Sequence, residues 1–241
     1  MSRMSNEEKE IRKLMKDAEL YVEADELKKA GEKLHQAIHK AENIGNKELL
    51  SQIMDFIKEF TYNTKTQSVE LSPIETNGFI LDIGGGGEGI IGKLNGKQVV
   101  AIDPSERELL GTQNEALKVI MDATELKFLP QSFDMCTSFF SLMYIPKNQH
   151  LKVFKEVHRA LKDNGRFLLW DARIAERFGN FKAFMVRLKV RLPNKEIEAG
   201  YGVKWHTQDM EYFKDIAQKA RFKVVTEWSK GEIFYLEMLR T

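Results

Sequence analysis

A glycine-rich segment, LDIGGGGEGIIGKL at residues 81–94, has the residue types of a loop that holds a nucleotide-containing cofactor. Gly84, Gly86 and Gly89 fit the dinucleotide pattern G-x-G-x-x-G. Asp82 with the first two of these glycines also fits D-x-G-x-G. Glycines let backbone approach a ligand, and the N–H groups that begin the next helix point toward it. The spacing therefore predicts a cofactor site, with a nicotinamide dinucleotide and S-adenosylmethionine as alternatives.

An acidic residue, Asp82, discriminates between these two cofactors. At the tip of the first strand, its carboxylate would lie beside any pyrophosphate that the loop holds. Like charges ~4 Å apart repel by about 4 kcal/mol at an effective dielectric constant of about 20. S-adenosylmethionine carries an ammonium and a sulfonium there instead, so the same interaction becomes attractive. Glu88 adds a second negative charge to the loop, and S-adenosylmethionine is favoured.

Two further acidic residues end the next two predicted strands. Asp103 stands 21 residues after Asp82, where a carboxylate accepts hydrogen bonds from ribose hydroxyls in either cofactor. Asp122 is placed to accept from an adenine amino group, with a simple strand-end turn as the alternative interpretation.

Short apolar runs alternate with helical patterns from residue 78 onward, and they predict the sheet that positions these acids. Five of them lack strict alternation, as parallel strands buried on both faces do. They cover residues 78–83, 97–103, 117–123, 132–139 and 165–172. A last helix is predicted to start at Thr207, and two final runs, 222–228 and 232–239, predict an antiparallel pair. The expected fold is α/β, with a doubly wound, seven-stranded, mostly parallel sheet.

The first 60 residues have the apolar periodicity of three amphipathic helices, and their spacing is similar to that of a tetratricopeptide hairpin. About one and a half repeats are present, fewer than the three or so that a free-standing array needs. We therefore expect two domains. Residues 1–66 form an all-α module that caps the protein or makes a homodimer, and residues 67–241 form the cofactor-binding domain.

An ordered set of motifs resembles the class I (Rossmann-like) S-adenosylmethionine-dependent methyltransferases, closest to the ubiquinone/menaquinone-biosynthesis type. The motifs are ILDIGGGGEGIIGKL, AIDPS, MDATELKFLPQSFD and EVHRALKDNGRFLLWD, and the resemblance covers roughly residues 78–172. One departure is that Glu88 stands where the family usually has its third glycine, with Gly89 displaced by one.

This resemblance implies S-adenosylmethionine as cofactor and assigns its contacts to residues at the ends of the first four strands. They are Asp82, Gly84, Gly85 and Gly86 for the methionine part, Asp103 and Pro104 for the ribose, Asp122 and Ala123 for the adenine, and Phe139 for the methionine and sulfonium side.

Methyl transfer from a sulfonium is a one-step displacement that needs aligned reactants, exclusion of water and in some cases a base. The acceptor is expected outside the carboxyl ends of the strands. Polar candidates there are Ser141, Tyr144 and Asp171, and we take Asp171 as a candidate catalytic residue. No metal site is predicted, because His35 and His39 lack the rest of a ligand set.

Residues 173–205 are an insertion, because the minimal fold needs only a short link between the fifth strand and the last helix. Alternating apolar and basic residues in 185–192, followed by Pro193-Asn194, predict a hairpin. One interpretation is a solvated edge hairpin. The other is a lid with a basic face, whose Tyr201 and Trp205 line the acceptor site while His206 serves as base, since the ordinary pKa of histidine lies near 6.5.

The composition limits the classes of partner. Lys and Arg total 37 against 36 acids, which argues against a nucleic-acid footprint. The single cysteine, Cys136, excludes a disulfide framework, and the absence of a signal peptide and of a long apolar run predicts a soluble, cytoplasmic protein. The favoured function is methyl transfer to a small molecule. The alternatives are a protein or RNA acceptor recognised through the helical module, and a nicotinamide-dependent oxidoreductase.

Overall fold

The computed structural model describes residues 4–241, so the first three residues of the predicted helical module lie outside the described residues. Contacts divide the chain into two compact units. The first consists of the N-terminal residues up to Thr64, together with residues 176–185 and 202–206. The second consists of residues 65–175, 186–201 and 207–241. Each unit is thus built from separate stretches of chain, whereas the predicted domains were continuous.

Three helices form most of the first unit, as the periodicity predicts. They are α1 (Asn6–Glu23), α2 (Leu27–Asn43) and α3 (Lys47–Phe60). A capping box starts α1, since the Ser5 side chain accepts from the Glu8 amide and the Glu8 carboxylate accepts from the Ser5 amide. The helices bury one apolar stripe each, and these stripes form a shared core.

A small strand region completes the first unit. Strand β1 (Thr61–Asn63) pairs in parallel with the first residues of β8 (Ala183–Leu192). Tyr62 lies at the centre of an aromatic cluster in this region. Its ring centroid is 5.1–5.9 Å from those of Phe178, Phe181, Phe184 and Trp205.

The second unit contains the seven-stranded sheet that the sequence predicts. Its strands are β3 (Ile80–Ile83), β4 (Val99–Asp103), β5 (Leu117–Ile120), β6 (Phe133–Phe139), β7 (Leu161–Ala172), β10 (Phe222–Lys230) and β11 (Ile233–Arg240). Their order across the sheet is β10-β11-β7-β6-β3-β4-β5. Five neighbouring strands, in the order β7-β6-β3-β4-β5, pair in parallel. Strand β11 is antiparallel to both of its neighbours, β7 and β10.

Four helices accompany this sheet: α4 (Ile90–Asn95), α5 (Glu106–Gly111), α6 (Lys147–Ala160) and α7 (Met210–Lys219). One face of the sheet packs on α6 and α7 in a core that includes Phe154, Phe167 and Phe213. The prediction that the last helix begins at Thr207 is wrong. Gln208 forms an isolated bridge with Ile174, which keeps this stretch extended, and Asp209 caps α7 by accepting from the Tyr212 amide at 2.8 Å.

The insertion forms the predicted hairpin from β8 and β9 (Lys195–Lys204), joined at Pro193 and Asn194. It does not extend the edge of the seven-stranded sheet. In the second unit β8 instead pairs with β2 (Gln67–Glu70) and with β9. Two of its basic side chains form ion pairs, since Arg191 pairs with Glu70 and Glu196 while Lys189 pairs with Glu196. The expected basic face is therefore weaker than the sequence suggests.

Within residues 4–241, no helix has an apolar stretch long enough to cross a bilayer.

Candidate functional site

The glycine-rich loop lies where the strand order of the sheet reverses. From β3 the chain proceeds to β4 and β5 on one side, then crosses to β6 on the other side of β3. In open α/β sheets, ligands bind outside the carboxyl ends of the strands at this kind of switch point. The loop, Asp103 and Phe139 all follow or end strands there.

The glycines of the loop are needed for both conformation and space. Gly84 has φ = 69°, which disfavours any side chain, and a Cβ atom added to it would overlap Ser141. A Cβ atom on Gly86 would lie 2.7 Å from Glu108 Cβ and 2.9 Å from an oxygen of Asp103. Only bare backbone fits between the neighbouring strands and helix, and this is the cradle that a close-approaching cofactor requires.

Asp82 is buried in β3 directly beneath this loop. The Thr137 hydroxyl donates to its carboxylate at 2.7 Å, and the other carboxylate oxygen faces Gly85. Burial raises the pKa of Asp82 from 3.8 to about 7, against the lowering effect of the Thr137 hydrogen bond. Near neutral pH the carboxylate is therefore only partly ionised. The negative charge of Asp82, which disfavours a pyrophosphate in the loop, is fully present only at higher pH or when a cation lies beside the carboxylate.

Asp103 ends β4 and contacts the loop through Gly86. Its half-buried carboxylate accepts from the Ser105 amide at 2.8 Å and from the Gly86 amide. Burial raises its pKa, and the nearby Glu108 carboxylate contributes in the same direction. Asp82 and Asp103 thus flank one stretch of glycine backbone, while their contacts with the methionine and ribose parts of a cofactor stay predictions.

The predicted adenine contacts, Asp122 and Ala123, follow β5. Asp122 is exposed, and its carboxylate accepts from the Thr124 amide at 2.7 Å, a hydrogen bond that lowers its pKa. This is the strand-end turn of the alternative interpretation, so an adenine contact stays a prediction. Ala123 is buried, and Pro104, the residue predicted beneath the ribose, is exposed.

An aromatic wall stands at the end of β6. The Tyr201 ring of β9 stacks on Phe140 with centroids 5.4 Å apart, and Phe139 lies 6.2 Å from Tyr201. Burial raises the pKa of Tyr201 well above its usual range, and the carboxylate of Glu88 adds to the shift. Tyr144, half exposed in the turn after β6, raises the pKa of Tyr201 further through an electrostatic interaction. The structure therefore places Tyr201 beside both the loop residue Glu88 and Tyr144.

Asp171, the candidate catalytic residue, is fully buried at the end of β7. Its carboxylate accepts from the Met143 amide at 3.2 Å, the Ala172 amide at 2.7 Å and Gln208 Nε2 at 2.9 Å. Burial raises its pKa to about 7. A carboxylate so enclosed by protein donors fits a positioning role better than direct contact with an acceptor.

Two other predicted residues, Trp205 and His206, belong to the first unit. Trp205 packs against the aromatic cluster around Tyr62, and its amide donates to the Lys182 carbonyl at 2.8 Å. His206 Nδ1 lies 3.0 Å from the Lys204 carbonyl. Their roles toward an acceptor stay predictions.

Two residues that contact the parts of this site, Thr137 and His150, were not predicted from the sequence. Thr137 lies within the predicted buried strand 132–139, two residues before Phe139. A polar residue inside a buried strand needs a hydrogen-bond partner, and this could have indicated its contact with the site. His150 occupies an apolar position of α6 and is fully buried. Its hydrogen-bond partners are the Leu142 carbonyl, eight residues earlier, and the Tyr212 hydroxyl, 62 residues later, and the helical pattern of α6 reveals neither.

Across residues 4–241, no three His, Cys, Asp or Glu side chains converge as a metal site would require. The groups around the loop, two hydrogen-bond-accepting carboxylates and bare glycine backbone, fit a cofactor with a positively charged methionine end and ribose hydroxyls.

Comparison with known proteins shows which families and folds the chain is similar to. Residues 81–169 match the family model described as a methyltransferase domain. A curated relative, the sterol 4-C-methyltransferase strm-1 of Caenorhabditis elegans, is 33% identical over 119 residues. That match covers 44% of this chain and 33% of the relative, so the chain spans about a third of the relative's length.

Solved structures share the fold. A S-adenosylmethionine-dependent methyltransferase from Methanosarcina mazei aligns with a TM-score of 0.51 at 16% identity, over 71% of this chain and 99% of its own. A protein from Pyrococcus horikoshii OT3 also aligns with a TM-score of 0.51, at 15% identity, over 87% of this chain and 92% of its own. The fold is thus the Rossmann-like fold of class I methyltransferases. The domain match and the loop support a S-adenosylmethionine-dependent methyltransferase.

Proposed function

We propose that this chain, whose methyltransferase domain has the class I fold, transfers the methyl group of S-adenosylmethionine to a small-molecule acceptor. The observation that carries the proposal is the glycine loop at the switch point, flanked by the Asp82 and Asp103 carboxylates. The bound cofactor supplies the electrophilic methyl group, and the protein orients the reactants and excludes water.

Each residue of the site has a proposed task. Asp103 accepts from the ribose hydroxyls, and Asp82 stabilises the positively charged methionine end, acting in its ionised form. Gly84, Gly85 and Gly86 let the backbone approach, while the Phe139 ring borders the reacting methyl group. Asp122, Ala123 and Pro104 hold the adenine and ribose from the side of β4 and β5.

The acceptor is proposed to be a small molecule with an apolar body. The rings of Phe139, Phe140 and Tyr201 offer it an aromatic wall, and Tyr144 offers a hydroxyl. Two likenesses suggest which compounds to test first. The curated relative is named a sterol methyltransferase, and the sequence motifs resemble those of the ubiquinone/menaquinone type.

Calorimetric titration with S-adenosylmethionine and with NADH tests the cofactor assignment. Binding of S-adenosylmethionine without NADH binding is expected, and the reverse result would replace the proposal with an oxidoreductase. The acceptor is then sought with radiolabelled methyl donor against sterols, quinones lacking a ring methyl, total RNA and a protein extract. Transfer only to RNA or to protein would establish the alternative in which the helical module recognises a macromolecule.

The helical module is proposed to govern acceptor access or to form a homodimer, because the predicted cofactor residues all lie beyond residue 80. Light scattering of the full chain gives its oligomeric state. A monomer at micromolar concentration would leave acceptor access as the remaining proposal for the module.

A further inference from the structure

A short turn, Leu142–Tyr144, follows β6 and carries the acceptor-side residue Tyr144. Two fully buried polar side chains from other elements bind its backbone, Asp171 at the end of β7 and His150 in α6. The turn itself closes through a hydrogen bond from the Ile145 amide to the Leu142 carbonyl at 2.9 Å.

Asp171 fixes the N–H side of the turn. Its Oδ2 accepts from the Met143 amide at 3.2 Å. Its Oδ1 accepts from the Ala172 amide and from Gln208 Nε2, at 2.7 and 2.9 Å. The two hydrogen bonds to Oδ1 therefore orient the carboxylate so that Oδ2 faces the turn.

His150 fixes the carbonyl side of the same turn. Its Nε2 lies 3.0 Å from the Leu142 carbonyl oxygen. A carbonyl only accepts, so Nε2 must carry the proton of this hydrogen bond. Its Nδ1 lies 3.0 Å from the Tyr212 hydroxyl, and the ring packs 5.2 Å from Phe213, which sets its plane.

The residue that precedes the turn, Ser141, connects it to the cofactor loop. Its hydroxyl donates to the Ile83 carbonyl at 2.6 Å, directly before Gly84. The space that a Cβ atom would need on Gly84 is taken by Ser141 itself. The position of the turn and the position of the first loop glycine are thus set together, because the Ser141 side chain contacts the loop backbone directly.

We propose that His150 is a positioning residue for the cofactor loop, and that it acts together with Asp171 by fixing the turn that packs on Gly84. This inference rests on the proposed function. Removing the Nε2–H donor leaves the buried Leu142 carbonyl with one partner fewer, which lets the turn and the adjoining loop depart from the geometry that binds the methionine part.

His150→Phe tests this proposal, since it keeps an aromatic ring but removes the donor. His158→Phe is the matched control, because His158 lies on the same helix and also contacts a backbone carbonyl, that of Thr241 at 3.3 Å, but does not touch the turn. Calorimetry with S-adenosylmethionine is expected to give an affinity about fivefold weaker for His150→Phe, the value of one net hydrogen bond, and unchanged for the control. His150→Gln, whose amide can donate to the Leu142 carbonyl, should restore most of the affinity.

Each outcome bears on the proposal. Wild-type affinity in His150→Phe overturns it, and so does equal weakening in the Phe and Gln variants, which would indicate ring packing instead of the hydrogen bond. If His150→Phe does not fold, Ser141→Ala interrupts the same path without touching the histidine, and wild-type affinity there also overturns the proposal. A wild-type protein that binds no S-adenosylmethionine would instead refute the proposed function.

Discussion

Thr137 donates a hydrogen bond to the buried carboxylate of Asp82 at 2.7 Å, and the two residues stand side by side on the adjacent strands β6 and β3. Burial makes the ionised form of Asp82 unfavourable, and this hydrogen bond offsets part of that effect. The pair therefore sets how much negative charge lies under the glycine loop at a given pH.

Thr137→Val keeps the shape of the side chain but removes the donor, so the pKa of Asp82 should rise further. We expect the affinity for S-adenosylmethionine at pH 7 to fall several-fold, because less of the carboxylate is ionised. The loss should shrink at pH 8.5, where the carboxylate ionises in both proteins. Calorimetry at three pH values measures this, and a loss that does not change with pH would contradict the mechanism.

Asp103→Ala should weaken S-adenosylmethionine binding about tenfold or more, because it removes charge-assisted hydrogen bonds worth roughly 1.5–3 kcal/mol. Glu106→Ala is the matched control, since Glu106 is an exposed acid three residues away. A thermal melt establishes that both variants are folded. Equal affinities in the two variants would remove Asp103 from the cofactor site.

Gly86→Ala should abolish most cofactor binding, because its Cβ atom would lie 2.7 Å from Glu108 Cβ and would push against the Asp103 carboxylate. Gly31→Ala is the control. Gly31 lies in α2 with no atom within 4 Å of an added Cβ, so this change should stabilise the helix by about 0.5–1 kcal/mol. Denaturant unfolding and calorimetry separate the two effects. Full binding by Gly86→Ala would mean that the loop does not cradle the cofactor.

Stability should depend on pH through Asp82 and Asp171, whose pKa values burial raises from 3.8 to about 7. Between these values the folded protein binds more protons than the unfolded chain, so the free energy of unfolding should fall as the pH rises from about 4 to about 7. The contribution of these groups is fully present below their unfolded pKa and is lost above the folded one. The double variant Asp82→Asn, Asp171→Asn should show a flatter profile in urea unfolding between pH 5 and 7. An unchanged slope would place the titration elsewhere.

Local patterns predicted the elements of this fold well, because each depends on residues close together in the chain. The glycine loop, the parallel strands and the three N-terminal helices follow from spacing and periodicity alone. The start of α7 was predicted wrongly at Thr207, since the bridge between Ile174 and Gln208 joins residues 34 positions apart and overrides a local capping signal.

The sequence by itself determined the class of fold, and it predicted the glycine loop and the acids that flank it as a cofactor site, since these follow from residue type and short-range order. Only the tertiary structure decided that β11 lies between β7 and β10, that the insertion pairs with β2, and that the Asp171 carboxylate is enclosed by the Met143 and Ala172 amides and the Gln208 side chain. It also decided that burial raises the pKa of Asp82 to about 7 and that Tyr201 lies beside Glu88. Burial and hydrogen bonding between distant segments set these properties, and no window of neighbouring residues contains that information.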